Sequence, residues 1–324
     1  MAATLSASQV EQFEKQGFLV VEDLFDAAAD LDPIIAEYDG VLDRLASELV
    51  ARGEISSTYS DLPFGKRLIN IFAEGGKDYT QHFDFCLPQK GVKNETPIWL
   101  GPAIFNIITN SRLLNAVESL IGPEIYSNPV QHVRLKTPDH LTPKDPKTGR
   151  PIVPNASWHQ DNGVLTPDAD ETNMLTVWFP LSDATEQNGC LELVPGSHRD
   201  GVLQHCPRDG ILQIPASEFD RDSALAVPVK RGGALFMHRR TCHAAKINYS
   251  DDIRWSLDLR YNPVGQPGGR SLLPGFIVRS RVDPDAELRS AESWAEMWHE
   301  ARSALARRDD PTYNRWNVSD SACA

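Results

Sequence analysis

Gly232–Tyr261 reads GGALFMHRRTCHAAKINYSDDIRWSLDLRY, and this stretch decides the fold class. Ala234–Met237 and Ile253–Arg260 have the composition of strands, and a polar turn at Asn248–Asp251 lies before the second. The segment from His243 to Arg254 reads as two strands around that turn. Such a hairpin places His243 opposite Ser256, or opposite Arg254 if the register moves by one pair. Arg254 and Ser256 share a strand face.

Working outward, residues 125–262 carry further short strands at Gln131–Lys136, Leu175–Phe179 and Cys190–Val194, separated by Gly, Pro, Asn and Asp. That spacing predicts an antiparallel sandwich or barrel rather than a parallel βαβ sheet. No GxGxxG or P-loop pattern occurs. Before this core, Ser6 and Gln9 have capping-box spacing and Gly17 suits a helix C-cap. Phe18–Val21 reads as a strand. A second helix starts near Asp32, with Pro33 in its first turn, and stops at Gly53. A third is expected over 111–121, with Ser111 as its cap. Residues 54–110 mix Gly, Pro and aromatics and give no clear element.

Thr137–Asn155 holds five prolines and reads as a long irregular loop, either a lid over the site or a mobile surface insertion. After 265 comes a Gly/Pro-rich connection, then a helix over roughly 286–308 with Trp294 and Trp298 as packing residues. The expected organisation is one domain: N-terminal helices and rim at 5–123, a β core at 124–262, and a C-terminal helical extension at 263–324.

The 324-residue chain can bury a full core, and its formal charge is −13, from 32 basic and 45 acidic residues. An acidic balance argues against a general nucleic-acid or anionic-membrane partner. The N-terminus lacks secretory-signal character, and no apolar run is long enough to span a membrane. The five cysteines are odd in number with no CxxC pair, which argues against a disulfide framework or a structural zinc site. The expectation is a reduced, cytoplasmic protein, in which the sequons at Asn94, Asn155, Asn248 and Asn317 stay unmodified. Oligomeric state is not readable.

The chemistry centres on His159-Gln160-Asp161. Two imidazoles and one carboxylate can hold one face of an octahedral metal and leave the other face open, which suits a non-haem Fe(II) oxygenase. His-x-Asp alone arises often by chance, as a surface histidine beside a turn aspartate. The second histidine is sought among His198, His205, His238 and His243. The hairpin geometry favours His243, because only from there does the partner strand offer Arg254. A 2-oxo dicarboxylate chelating the metal would present its distal carboxylate to Arg254 and Ser256. His198 reads as a turn residue and His238 as a core histidine.

Four blocks then carry a family resemblance: SASQVEQFEKQGFLVVEDLF (6–25), SWHQD (157–161), LTVWFPLSDATEQNGCLELVPGSHR (175–199) and the opening stretch (232–261). In this order they resemble the phytanoyl-CoA dioxygenase family of Fe(II)/2-oxoglutarate-dependent oxygenases. The resemblance implies a mainly β fold with packed helices around a double-stranded β-helix (jelly-roll, cupin-like) core. It implies His159, Asp161 and His243 as metal ligands and Arg254 as the co-substrate arginine, with Ser256 beside it. Thr176 falls near another co-substrate contact, and Trp178 shares its strand face; core packing is the alternative for both. The implied cofactors are Fe(II), 2-oxoglutarate and O2, and the implied reaction oxidises a C–H bond of a small-molecule substrate with release of succinate and CO2. Related halogenases lack a carboxylate where this chain keeps Asp161, which favours hydroxylation or another oxidation over halogenation and leaves desaturation, ring formation and epoxidation open.

Nothing in the sequence identifies the substrate. Tyr59, Phe64, Phe72, Tyr79, His82 and Phe85 are candidates for an aromatic wall over the iron, or else for core. Lys144, Lys147 and Arg150 would meet an acyl-CoA, or else form a solvated loop. Family breadth points to a secondary metabolite ahead of an acyl-CoA. The competing classes are a non-catalytic jelly-roll binding protein and a zinc hydrolase using the same ligands.

Overall fold

The computed structural model describes residues 4–153, 155–208, 211–308, 315, 316 and 323. The sequon at Asn317 and most of the chain beyond 308 lie outside them. In chain order the elements are α1 (Ala7–Gln16), β1 (Phe18–Val21), α2 (Asp32–Ala51), α3 (Phe64–Gly75), α4 (Pro102–Ile108) and α5 (Ser111–Ile121). Next come β2 (Ile125–Lys136), β3 (Leu175–Pro180), β4 (Leu191–Leu193), β5 (Cys206–Arg208), β6 (Ile211–Gln213) and β7 (Leu225–Val227). The chain continues through β8 (Ala234–His238), β9 (His243–Ala245), β10 (Arg254–Pro263), β11 (Phe276–Arg279) and α6 (Ala291–Leu305).

Two antiparallel sheets form the core. The larger has the order β1-β8-β3-β10-β2-β11, and the smaller has the order β7-β4-β9. Beyond β9 the segment ending at His159 extends the small sheet, with His159 and His243 exchanging both backbone hydrogen bonds at 3.0 Å. The neighbouring strands are far apart in sequence, and no sheet closes into a barrel. This is the jelly-roll arrangement of two facing antiparallel sheets.

The expected hairpin around Asn248 does not form. His243 pairs with Leu193 in the small sheet, whereas Arg254 pairs with Lys136 in the large one. The turn is a corner from one sheet to the other. Asn248 stabilises it by donating from Nδ2 to the backbone carbonyls of Lys136 (3.0 Å) and Asp252 (2.8 Å). A crossing between sheets and a hairpin present the same local composition, so pairing partners decide between them.

Side-chain alternation gives the large sheet two different faces. On β10, Trp255, Leu257, Leu259 and Tyr261 join the main apolar core, which includes Ile34, Tyr38 and Leu42 of α2 and Leu68, Ile71 and Phe72 of α3. Trp255 stacks on Phe64 at 4.2 Å, and the Tyr261 hydroxyl donates to the Ile108 carbonyl at 2.8 Å. The alternate residues Arg254, Ser256, Asp258 and Arg260 point toward the small sheet and are also buried. Opposite Leu259 the β2 ladder shifts register between the Asp258–His132 and Arg260–Asn128 pairs. Pro129 sits in that bulge, where its missing N–H costs no ladder bond.

The N-terminal signals form as read. Ser6 and Gln9 make both capping-box bonds, and Gly17 takes a left-handed conformation at φ 79°. The cap of α5 is Asn110, one residue before the expected Ser111, and its side chain accepts from the Arg112 and Leu113 amides. The region without a sequence assignment contains α3 and α4. Residues 137–153 form a hairpin-like excursion, with Lys144 bridged to Pro151 and the Ile152 amide bonded to the Pro143 carbonyl at 2.8 Å. Trp294 and Trp298 of α6 are buried in the core, as expected of packing residues.

The reading of wholly reduced cysteines is corrected for one pair: Cys206 and Cys323 form a disulfide across a sequence separation of 117. An odd count with no close spacing gives no signal for such a long-range pair. Cys86, Cys190 and Cys242 are free and buried. No helix among the described residues is long and apolar enough to cross a membrane.

Candidate metal centre

His159 lies at the free edge of the small sheet, and His243 pairs with it on β9. Asp161 opens the short 3-10 turn Asp161–Val164 that follows. Backbone geometry therefore brings the three together, and one donor atom from each lies within 4.8 Å of the others. Among the described residues no other group of three or more His, Cys, Asp or Glu side chains has this proximity.

The hydrogen bonds leave the correct ring nitrogens free. His159 Nδ1 lies 2.7 Å from the Ser157 carbonyl, and His243 Nδ1 lies 2.9 Å from the Thr241 carbonyl. A carbonyl only accepts, so each Nδ1 carries the proton and each Nε2 keeps its lone pair. Burial, and then His243, hold His159 down to about 3, so its ring is neutral and able to ligate. Burial alone would raise the Asp161 carboxyl. Arg260, His243 and His159 outweigh it and hold Asp161 well below the usual carboxylate range. The donor set is thus two imidazoles whose Nδ1 atoms are engaged by carbonyls and one anionic oxygen, which fits a divalent metal.

The three other histidines weighed for the site are engaged elsewhere. His205 accepts from the Gln160 amide at Nε2 (2.9 Å) and meets the Leu203 carbonyl at Nδ1 (2.9 Å). His238 accepts from the Arg240 amide at 3.1 Å, and His198 meets the Glu14 carbonyl at 3.1 Å.

Two residues fix Asp161, and one of them carried no signal in the sequence. Arg260 donates from Nη2 to Oδ1 at 2.5 Å, and Thr176 donates to Oδ2 at 2.5 Å. Arg260 is itself held by Asp258 at 2.9 Å and by the Val130 carbonyl at 2.6 Å, which the β2 bulge turns inward. Asp258 also takes Arg134 at 3.0 Å. An arginine in a β run reads as one more surface charge, but even spacing from Arg254 puts Arg260 on the inner face. Thr176 was expected at the co-substrate; its hydroxyl hydrogen is instead committed to Asp161.

Gln160 bolts the turn between the two ligands. Its side chain donates to the Gly201 (2.9 Å) and Arg240 (2.7 Å) carbonyls and accepts from the Leu203 amide (2.8 Å). Gly163 allows His205 to pack against this turn, since an added Cβ would lie 2.1 Å from His205 Nε2. Trp316 reaches the same turn from the C-terminal segment, donating from Nε1 to the Gly163 carbonyl at 2.6 Å.

His159 and His243 open onto a cavity of about 330 Å³ that also holds Thr176, Trp178, Lys136 and Arg254. Arg254 donates to the Gly189 carbonyl at 3.1 Å and to Ser256 at 2.5 Å, and its guanidinium lies 5.4 Å from the Trp178 ring centroid. Burial, and then Arg134, lower Arg254 to about 10, so it stays charged at neutral pH. No carboxylate among the described residues pairs with it. A larger cleft of about 730 Å³ shares Asn155, Ala156 and Ala245 with this cavity but touches none of the triad.

Of the two readings of the aromatics at 59–85, core packing is the one that forms, since none of Tyr59, Phe64, Phe72, Tyr79, His82 and Phe85 lines the cavity. Phe72, Tyr79 and Phe85 belong to the core, and Phe64 packs on Trp255 behind the sheet. The wall on that side is polar, with Asp78, Thr80 and Asp84, while Val153 and Asn155 bring the base of the 137–155 excursion to the rim. Lys144, Lys147 and Arg150 lie at its exposed tip.

Comparison with known proteins agrees with this geometry. The family model for phytanoyl-CoA dioxygenase matches residues 13–256. Phytanoyl-CoA dioxygenase domain-containing protein 1 of Bos taurus is 28% identical over 267 residues, spanning 78% of this chain and 88% of its own. The phytanoyl-CoA dioxygenase of Arabidopsis thaliana is 24% identical over 296 residues, covering 87% and 96%. Among solved structures, the apo form of the non-heme monooxygenase ThoJ superposes with a TM-score of 0.60 at 20% identity, covering 92% of this chain and 97% of that one. Fold and site define a jelly-roll protein with a two-histidine, one-carboxylate centre. The chain belongs to the phytanoyl-CoA dioxygenase family.

Proposed function

We propose that this protein is an Fe(II)- and 2-oxoglutarate-dependent dioxygenase that hydroxylates a C–H bond of a small organic molecule. One observation carries the reading: two imidazoles grouped with a fixed carboxylate line a cavity that also holds a buried arginine with no carboxylate paired to it among the described residues. A binding module has no use for that combination, and a zinc hydrolase leaves Arg254 without a role.

In this reading His159, Asp161 and His243 hold Fe(II). The iron, with 2-oxoglutarate and O2, supplies an oxidant able to break a C–H bond, with succinate and CO2 as by-products. Arg254 and Ser256 bind the distal carboxylate of 2-oxoglutarate, and Trp178 supplies an aromatic face beside the guanidinium. Thr176 and Arg260 keep Asp161 from rotating and leave it ionised. These residues position rather than react, and substrate placement selects the bond that is oxidised.

The substrate enters from the side bounded by Asp78, Thr80, Asp84 and Val153. The cavity volume of about 330 Å³ suits a small organic molecule better than an acyl-CoA. The test is 2-oxoglutarate consumption with Fe(II) under air, read as succinate. Succinate that requires O2 and disappears in Asp161→Ala supports the reading. Substrate turnover with neither O2 nor 2-oxoglutarate overturns it in favour of hydrolysis.

A further inference from the structure

Lys136 is the last residue of β2 and the direct cross-strand partner of Arg254. Like charges placed opposite each other on a ladder destabilise a sheet, and both of these side chains are buried, at 7% and 3% exposure. They meet over one residue. Arg254 donates to the Gly189 carbonyl, and an added Cβ on Gly189 would lie 2.7 Å from Lys136 Cε. Lys136 reaches the Asn155 side-chain oxygen, a neutral acceptor, and no carboxylate among the described residues forms an ion pair with it. The nearby inner-face cations differ, since Arg134 and Arg260 are both paired with Asp258. Two buried cations thus stand at one end of the cavity without an anion.

We propose that Lys136 is a second anchor for the co-substrate, so that the distal carboxylate of 2-oxoglutarate is gripped by Arg254 and Lys136 together. The inference rests on the reading of Arg254 given above. Ser256 and the Gly189 carbonyl use two of the guanidinium's N–H groups, and the remaining ones on Nη1 and Nη2 supply the planar fork. Lys136 supplies a compact charge from the neighbouring strand. The ligand's charge relieves the repulsion between the two cations, so part of the affinity is stored in the empty site. The arrangement selects a dianionic 2-oxo acid over a monoanionic one.

Burial, and then Arg254, hold the Lys136 amine down to about 7. The groups facing it are Arg254 on β10, Cys190, Glu192 on β4, Asp139 and Asn155. Its contact with Asn155 also ties together the two ends of the 137–155 excursion, so a purely structural clamp is the rival role.

Ligand chemistry separates the two roles. Fe(II)-loaded wild type, Lys136→Met and Lys136→Arg are titrated anaerobically with 2-oxoglutarate and with 2-oxobutyrate, which keeps the chelating end and lacks the distal carboxylate. The expected result for Lys136→Met is an affinity for 2-oxoglutarate about tenfold lower, as for a lost charge-assisted bond. Its affinity for 2-oxobutyrate stays unchanged, and Lys136→Arg recovers most of the loss for 2-oxoglutarate. Equal loss for both ligands would show a clamp, and no loss for either would show a bystander; each overturns the proposal. If wild type binds 2-oxobutyrate but gains nothing from the distal carboxylate, the reading of Arg254 fails as well.

Discussion

The two faces of β10 are equally buried and chemically opposite. Trp255, Leu257, Leu259 and Tyr261 on one face and Arg254, Ser256, Asp258 and Arg260 on the other are all at most 5% exposed. The outer face gains from removing apolar area from water, and its contacts are non-directional. The inner face gains nothing from burial as such. Most of its charges are answered by another group, Asp258 for Arg134 and Arg260 and Arg260 for Asp161, and Arg254 is the exception. The outer face holds the sheet together, and the inner face holds a metal ligand in place.

That contrast gives its strongest test on the outer side. Leu259→Ala removes a fully buried side chain and is expected to cost about 2–5 kcal/mol of stability in chemical denaturation. Its Fe(II) affinity in the folded protein should be unchanged; a large loss of affinity would show that the faces are not separable. On the inner side, Arg260→Met is expected to lower Fe(II) affinity about 10- to 100-fold, as for other residues that orient a metal ligand. Competition with a chromogenic chelator reads this, and wild-type affinity would remove Arg260 from the site. Thr176→Val deletes one hydrogen bond to Asp161 and should cost about 0.5–1.5 kcal/mol of Fe(II) binding free energy in the same assay, with loss of stability no larger.

A pH-dependent effect concerns Lys136. Its amine titrates near 7 in the folded chain, against an ordinary value of 10.5. Between those values the unfolded chain holds a proton that the folded chain does not, so raising the pH through this window favours folding. Below about pH 7 the folded chain carries the buried charge in full and this benefit is absent. The stability of wild type relative to Lys136→Met should therefore rise from pH 7 to 9 in the metal-free protein. A difference independent of pH would place an unrecognised anion beside Lys136.

Much of this arrangement was readable before any coordinates. The strand at 253–260, His159, Asp161 and His243 all follow from local patterns and from the order of the blocks that resemble the family. What the sequence concealed was non-local. The corner at Asn248 has the composition of a hairpin, and only the pairing of His243 with Leu193 and of Arg254 with Lys136 shows that it joins two sheets. Arg260 was overlooked because its importance comes from Asp161, 99 residues away. Helix α3 is a different case: Phe64, Leu68, Ile71 and Phe72 fall at i, i+4, i+7 and i+8, a helical stripe that was legible but masked by flanking Gly and Pro. The aromatics of that region left a site wall and core packing both open, and they pack behind the sheet because the helices there need an apolar face.

The most direct measurement is an anaerobic titration of the purified protein with Fe(II) and then 2-oxoglutarate, followed by visible absorption. A weak metal-to-ligand charge-transfer band is expected, lost in His243→Ala and Asp161→Ala, and shifted to higher 2-oxoglutarate concentration in Arg254→Ala. Folded, iron-loaded protein that gives no band at any 2-oxoglutarate concentration would contradict the account.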